Sequence, residues 1–132
     1  MKRILLSILL ALSLTVANAA GGYTISILTC SPGEELYSSF GHTAIRLQNE
    51  SLDVDLVCNF GTFDFNTPNF YPKFVKGDLD YFLSIESTHN FLFSYAFEGR
   101  RVDEQMLNLT PEQSDAIVAE LYRLSLPENR YY

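Results

Sequence analysis

The chain has 132 residues, 16 of them acidic and 9 basic, for a formal net charge of −7. That balance disfavours nucleic acid and anionic lipid surfaces as partners. Aromatic residues make up 14 % of the sequence, with no tryptophan, which argues against a disordered chain, and the length suits one domain with a real core.

Met1 to Ala19 read as an export signal: Lys2 and Arg3 form the positive start, Ile4 to Val16 the apolar middle and Ala17-Asn18-Ala19 an A-x-A cleavage site. The apolar run is shorter than the ~20 residues of a membrane span and contains Ser7, Ser13 and Thr15. No later stretch is long and apolar enough for a span. No cysteine follows the small residues of the cleavage region, so the chain does not read as a lipoprotein itself. Cleavage leaves residues 20–132 as one exported domain of seven basic and sixteen acidic residues, net −9.

Tyr23 to Thr29 alternates as a first strand, and Ser31-Pro32-Gly33 breaks it. A short helix is expected over Glu34 to Phe40. Thr43 to Gln48 is a half-buried strand, with Thr43, Ile45 and Leu47 on one face and His42, Ala44 and Arg46 on the other. After a polar loop from Asn49 to Asp55, the return strand Leu56 to Phe63 points Leu56, Cys58 and Phe60 one way and Val57, Asn59 and Gly61 the other. If Leu56, Cys58 and Phe60 share the core face with Ile45 and Leu47, the period of two puts Asn59 on the face of His42.

Asp64 to Gly77, dense in aromatics and turn formers, reads as a loop with a short helical piece. Leu79 to Glu86 is a strand. Either Thr88 or Asn90 caps a helix to about Phe97, with Gly99 at the left-handed position beyond it. Arg101 to Leu109 is the next strand. Thr110-Pro111-Glu112-Gln113 is a capping box that starts a helix to Ser125; Ile117, Leu121 and Leu124 give it a buried stripe and Pro127 stops it. The sum is an α+β domain, an antiparallel sheet with packed helices.

His42 is the candidate base. Imidazole accepts and returns a proton near neutral pH, and Gly41 before it permits close backbone approach. Asn59 is its candidate orienter, since an amide holds the imidazole tautomer in a Cys-His-Asn arrangement. Cys30 is the nearest candidate nucleophile, in a turn where backbone N–H groups lower a thiol pKa; a buried apolar role or a Cys30–Cys58 disulfide is the plainer alternative. His89 is an edge or capping residue, and Arg46 a solvated strand residue in preference to an anion holder. The Phe63, Phe65, Phe70, Tyr71 and Phe74 cluster reads first as core and second as an acyl-chain groove. Singly scattered His and Cys without paired spacing give no metal site, and no cofactor is expected.

The strings Leu28-Thr29-Cys30-Ser31-Pro32-Gly33-Glu34-Glu35-Leu36-Tyr37 and Phe40-Gly41-His42-Thr43-Ala44-Ile45-Arg46 resemble the periplasmic domain named for the bacterial lipoprotein N-acyltransferase Lnb. Asn59 to Tyr71, Leu107 to Gln113 and Leu126 to Tyr132 continue the resemblance. It implies a permuted papain-like, NlpC/P60-type thiol fold with His42 as the histidine. It also implies a cysteine motif after Tyr132, so the chain reads as the front part of a longer protein, incomplete at its C-terminal end and inactive alone. The implied chemistry is acyl transfer from a phospholipid or lipoprotein donor to a lipoprotein amine, in the periplasm and near a membrane. The alternatives are a cell-wall peptidase or amidase of the NlpC/P60 kind, and a non-catalytic lipid- or peptide-binding module.

Overall fold

A computed structural model describes residues 22–132; the expected export signal lies outside them. The strands are β1 (Thr24–Cys30), β2 (His42–Asn49), β3 (Val54–Thr62), β4 (Phe82–Ser87) and β5 (Val102–Met106), and the helices α1 (Phe70–Lys76), α2 (Thr88–Phe97) and α3 (Pro111–Ser125). The strands form one antiparallel sheet in the order β4-β3-β2-β1-β5. The α+β reading is therefore borne out.

Because β4 and β5 lie at opposite edges, the chain must cross the whole sheet between them. Helix α2 makes that crossing on one face, packing Phe91 against Leu28, Cys30, Ala44 and Val57. Helix α3 lies on the other, with Leu121 among Ile25, Leu47, Cys58 and Leu83. Neighbouring positions of one strand are thus both sealed, and Val57 and Cys58 are each 0 % exposed. The half-buried strand expected at β2 is accordingly buried on both faces, with Ala44 under α2 and Leu47 under α3. Full burial of a side chain the size of Val57 or Leu28 contributes about 1.5–3 kcal/mol.

Local chemistry explains the element ends. The Thr110 hydroxyl accepts from the Gln113 backbone N–H while the Gln113 side chain accepts from the Thr110 N–H, the reciprocal pair read from the sequence. Gly99 lies at φ +66° beyond α2, as expected. The N-cap of α2 is Ser87, whose side chain accepts from the Asn90 N–H, and neither Thr88 nor Asn90. The Thr88 hydroxyl is instead drawn to the Asp55 carboxylate at 2.6 Å. The helix expected over 34–40 shrinks to a single 3-10 turn, Leu36–Ser38, since a run this short forms too few bonds to repay helix nucleation. β4 begins at Phe82 and not at Leu79. Past it, the last residues return to its open edge, where Tyr131 bridges to Phe82 and the Leu83 N–H donates to the Arg130 carbonyl at 2.8 Å.

Replacing Thr110 by Ala is expected to lower stability by about 1 kcal/mol, read as a lower urea midpoint at constant slope. Thr110→Ser is expected to keep most of it; equal losses in both variants would show that the hydroxyl cap contributes little.

Candidate functional site

The antiparallel registers decide which side chains meet. Cys30 pairs with His42 across β1 and β2, Ile45 with Cys58 across β2 and β3, and Asn59 with Ser84 across β3 and β4. Alternation then puts Cys30, His42, Asn59 and Glu86 on the α2 face and Cys58 on the α3 face. The two thiols are separated by the sheet itself. Both are free and buried, which overturns the disulfide alternative.

Gly41 sets the start of β2. Its φ is +77°, and a Cβ there would stand 2.6 Å from the Cys30 carbonyl oxygen, so no other residue fits the approach of the two backbones. The close approach that suggested a role for Gly41 is therefore made to β1. One step later, His42 Nε2 lies 2.9 Å from Asn59 Oδ1. Asn59, 7 % exposed, donates from Nδ2 to Glu86 Oε1 at 2.9 Å. Burial raises the Glu86 carboxyl above its usual range, and the Asn59 bond draws it partly back. The structure thus brings His42 and Asn59 together and adds a residue the sequence reading passed over. The signal was available: alternation along β4 gives Glu86 the same face as Asn59 on the neighbouring strand.

These side chains border a cavity of about 280 Å³. Tyr37, Phe63, Phe65, Phe91 and Tyr95 supply its aromatic walls, and Arg100 lines it as well. Phe63 and Phe65 continue into the expected cluster, with ring centres 5.2 Å and 5.1 Å from Phe70. The aromatics are therefore both packing and wall.

Cys30 borders His42 but is not poised as a nucleophile. It is 3 % exposed, and burial raises its thiol above the ordinary value despite a hydrogen bond from Tyr95 and the Arg100 charge. The guanidinium of Arg100 stacks on Tyr95, 4.4 Å from the ring centre. Burial alone pushes Cys58 up to about 11. The thiolate is the attacking form, so burial that disfavours it makes both thiols poor nucleophiles.

Arg46 is no solvated residue. Its guanidinium donates to Asp55 through Nε at 2.8 Å and Nη2 at 2.7 Å, and to both Glu104 oxygens through Nη1 at 3.0 Å and 3.1 Å. Ser26 adds a bond to Glu104 at 2.5 Å. Its donors are engaged in tying β2 to β3 and β5, leaving an anion little to bind. His89 is exposed and stacks on Phe93. Among the described residues no cluster of His, Cys, Asp or Glu has a metal-holding arrangement, and no helix is long and apolar enough to cross a membrane.

Comparison with known proteins agrees with the resemblance. The model of the family described as the Lnb N-terminal periplasmic domain matches residues 13–132, and the chain belongs to that family. Membership makes it a periplasmic protein connected with lipoprotein processing. No curated protein and no solved structure matches it.

Two outcomes test this description. Neither thiol of the folded chain is expected to react with a thiol reagent at pH 8 on the timescale of free cysteine, and both are expected to react on unfolding; rapid labelling of Cys30 would restore it as a nucleophile. The Asp55 carboxyl is lowered first by Arg46, and Glu104 first by Ser26 and then by Arg46. Lowered folded-state values contribute stability that is present above the unfolded pKa and lost as pH falls through the folded one. Arg46→Met is therefore expected to be less stable at neutral pH and to lose less between about pH 6 and pH 3 than the parent chain. Parallel stability–pH curves would show the ion network to be inert.

Proposed function

We propose that this family member supplies the base, its orienting amide and the acyl-chain cavity of a thiol acyltransferase that N-acylates lipoproteins. The observation that carries the reading is the His42–Asn59 pair on the border of an aromatic-walled cavity. An imidazole held by an amide is half of a Cys-His-Asn arrangement, and the apolar walls suit a fatty acyl group better than a peptide. The buried state of Cys30 and Cys58 supports a nucleophile that is neither of them, in line with the cysteine motif that the resemblance puts after Tyr132. A permuted papain-like, NlpC/P60-type ancestry belongs to the same reading.

The chemistry has two halves. A thiol gives its proton to His42 and the thiolate attacks the donor's ester carbonyl. The C–O bond breaks, the departing alkoxide takes the proton back from His42, and a thioester remains. In the second half a lipoprotein amine attacks the thioester and His42 takes the amine proton. The C–S bond breaks as the amide forms, and the proton returns to the thiolate. Asn59 holds the ring in place through both transfers.

The test uses the protein in its native length, incubated with a diacylated lipoprotein and a phospholipid donor, with mass spectrometry of the lipoprotein N-terminus. The triacylated product is expected, and His42→Ala is expected to lose about 10²- to 10⁴-fold in rate. Undiminished acylation by a folded His42→Ala protein would reduce the domain to a binding module. Release of muropeptides from peptidoglycan without lipoprotein acylation would assign it to cell-wall hydrolysis.

A further inference from the structure

Three strands each contribute one polar side chain to a continuous line: His42 from β2, Asn59 from β3 and Glu86 from β4, joined by two contacts of 2.9 Å. The middle member has two chemically different ends, a C=O that only accepts and an NH₂ that only donates. A carboxylate carries lone pairs and no hydrogen. Only the NH₂ of Asn59 can therefore face Glu86, and Oδ1 is turned to His42. Oδ1 in turn requires a hydrogen from Nε2, and a neutral imidazole has just one to give. The reverse amide would set oxygen against carboxylate and forfeit that hydrogen bond, in a position where Asn59 is 7 % exposed.

We propose that Glu86 is a positioning residue that, through the Asn59 amide, fixes the hydrogen of His42 on Nε2 and makes Nδ1 the basic nitrogen. The charge need not be transferred for this to work. Glu86 selects an amide orientation, and the amide selects a tautomer. The raised carboxyl of Glu86, a consequence of burial, is compatible with this arrangement above its titration, where the group is acceptor-only. The catalytic value of a basic Nδ1 rests on the acyl-transfer reading; the position of the hydrogen does not.

The experiment reads that hydrogen directly, in this chain and without any substrate. Ring-¹⁵N histidine is incorporated and the two imidazoles, His42 and His89, are observed by long-range ¹H–¹⁵N NMR at pH 8, with His89→Gln to assign them. A single tautomer with a protonated Nε2 and a bare Nδ1 is expected for His42, against the averaged mixture of a free imidazole for exposed His89. Glu86→Gln, whose carbonyl still accepts, is expected to keep the His42 pattern. Glu86→Leu, or the smaller Glu86→Ala, is expected to shift it towards the mixture. Hydrogen on Nδ1 in the unmodified chain, or an unchanged single tautomer in a folded Glu86→Leu or Glu86→Ala protein, overturns the proposal. Failure of lipoprotein acylation would leave these spectra unaffected, so the two readings fall separately.

Discussion

The register between β2 and β3 is the constraint on which the rest depends. It is set at a short turn, where the Asn49 side chain accepts from the Leu52 N–H at 3.1 Å and Asp53 takes the left-handed conformation at φ 54°. Asn49 then pairs with Val54, and each later pair follows. A slip of one residue would send Asn59 to the α3 face, Cys58 to the α2 face, and Asp55 away from Arg46. The double ion pair of Arg46 holds the same alignment from the side, by joining β2 both to its hairpin partner β3 through Asp55 and to the distant β5 through Glu104. One turn and one guanidinium thus decide both the core and the polar line that crosses it.

Much of this was readable in the residues. Alternation was legible in part of β1, β2 and β3: Thr24 to Ile27 and Ile45 to Gln48 change between polar and apolar at each step, whereas Leu56-Val57-Cys58 is a continuous apolar run. The shared face of His42 and Asn59 followed from the period of two once Leu56, Cys58 and Phe60 were set on the side of Ile45 and Leu47. The capping box of α3 was equally plain, since Thr110, Pro111 and Gln113 each solve a separate problem of an open helix end. The elements that drifted were those without such local grammar. Residues 34–40 look helical in composition but end as a turn, and the start of β4 is fixed by the partner strand and the returning C-terminal residues, not by its own sequence. Glu86 was missed because an acidic residue late in a strand looks solvated until the strand order puts it beside a buried amide. Arg46 was misread for the matching reason: its partners Asp55 and Glu104 are 9 and 58 positions away.

The same sheet resolves the matter of the thiols. Cys30 stands across from the candidate base and Cys58 next to the candidate orienter in sequence, so proximity alone recommends both. Neither is exposed, and burial raises both thiols above the ordinary value. They behave as small apolar residues filling two different cores, one beneath each helix layer. Under the proposed acyl-transfer reading, the partner of His42 therefore comes from the cavity side and is neither of these two thiols.

The two borders of the sheet have a meaning for how the molecule lives among its neighbours. On one side, Arg130 to Tyr132 lie along the start of β4, where the Leu83 N–H donates to the Arg130 carbonyl and the Tyr132 N–H to the Tyr81 carbonyl. On the other, β5 is a strand of five residues, with Glu104 turned onto the sheet face toward Ser26 and Arg46 and Asp103 paired with Arg101. An incoming strand therefore finds one border partly taken and the other only five residues long. Short or partly occupied borders in this way narrow the commonest route by which a sheet grows into an aggregate.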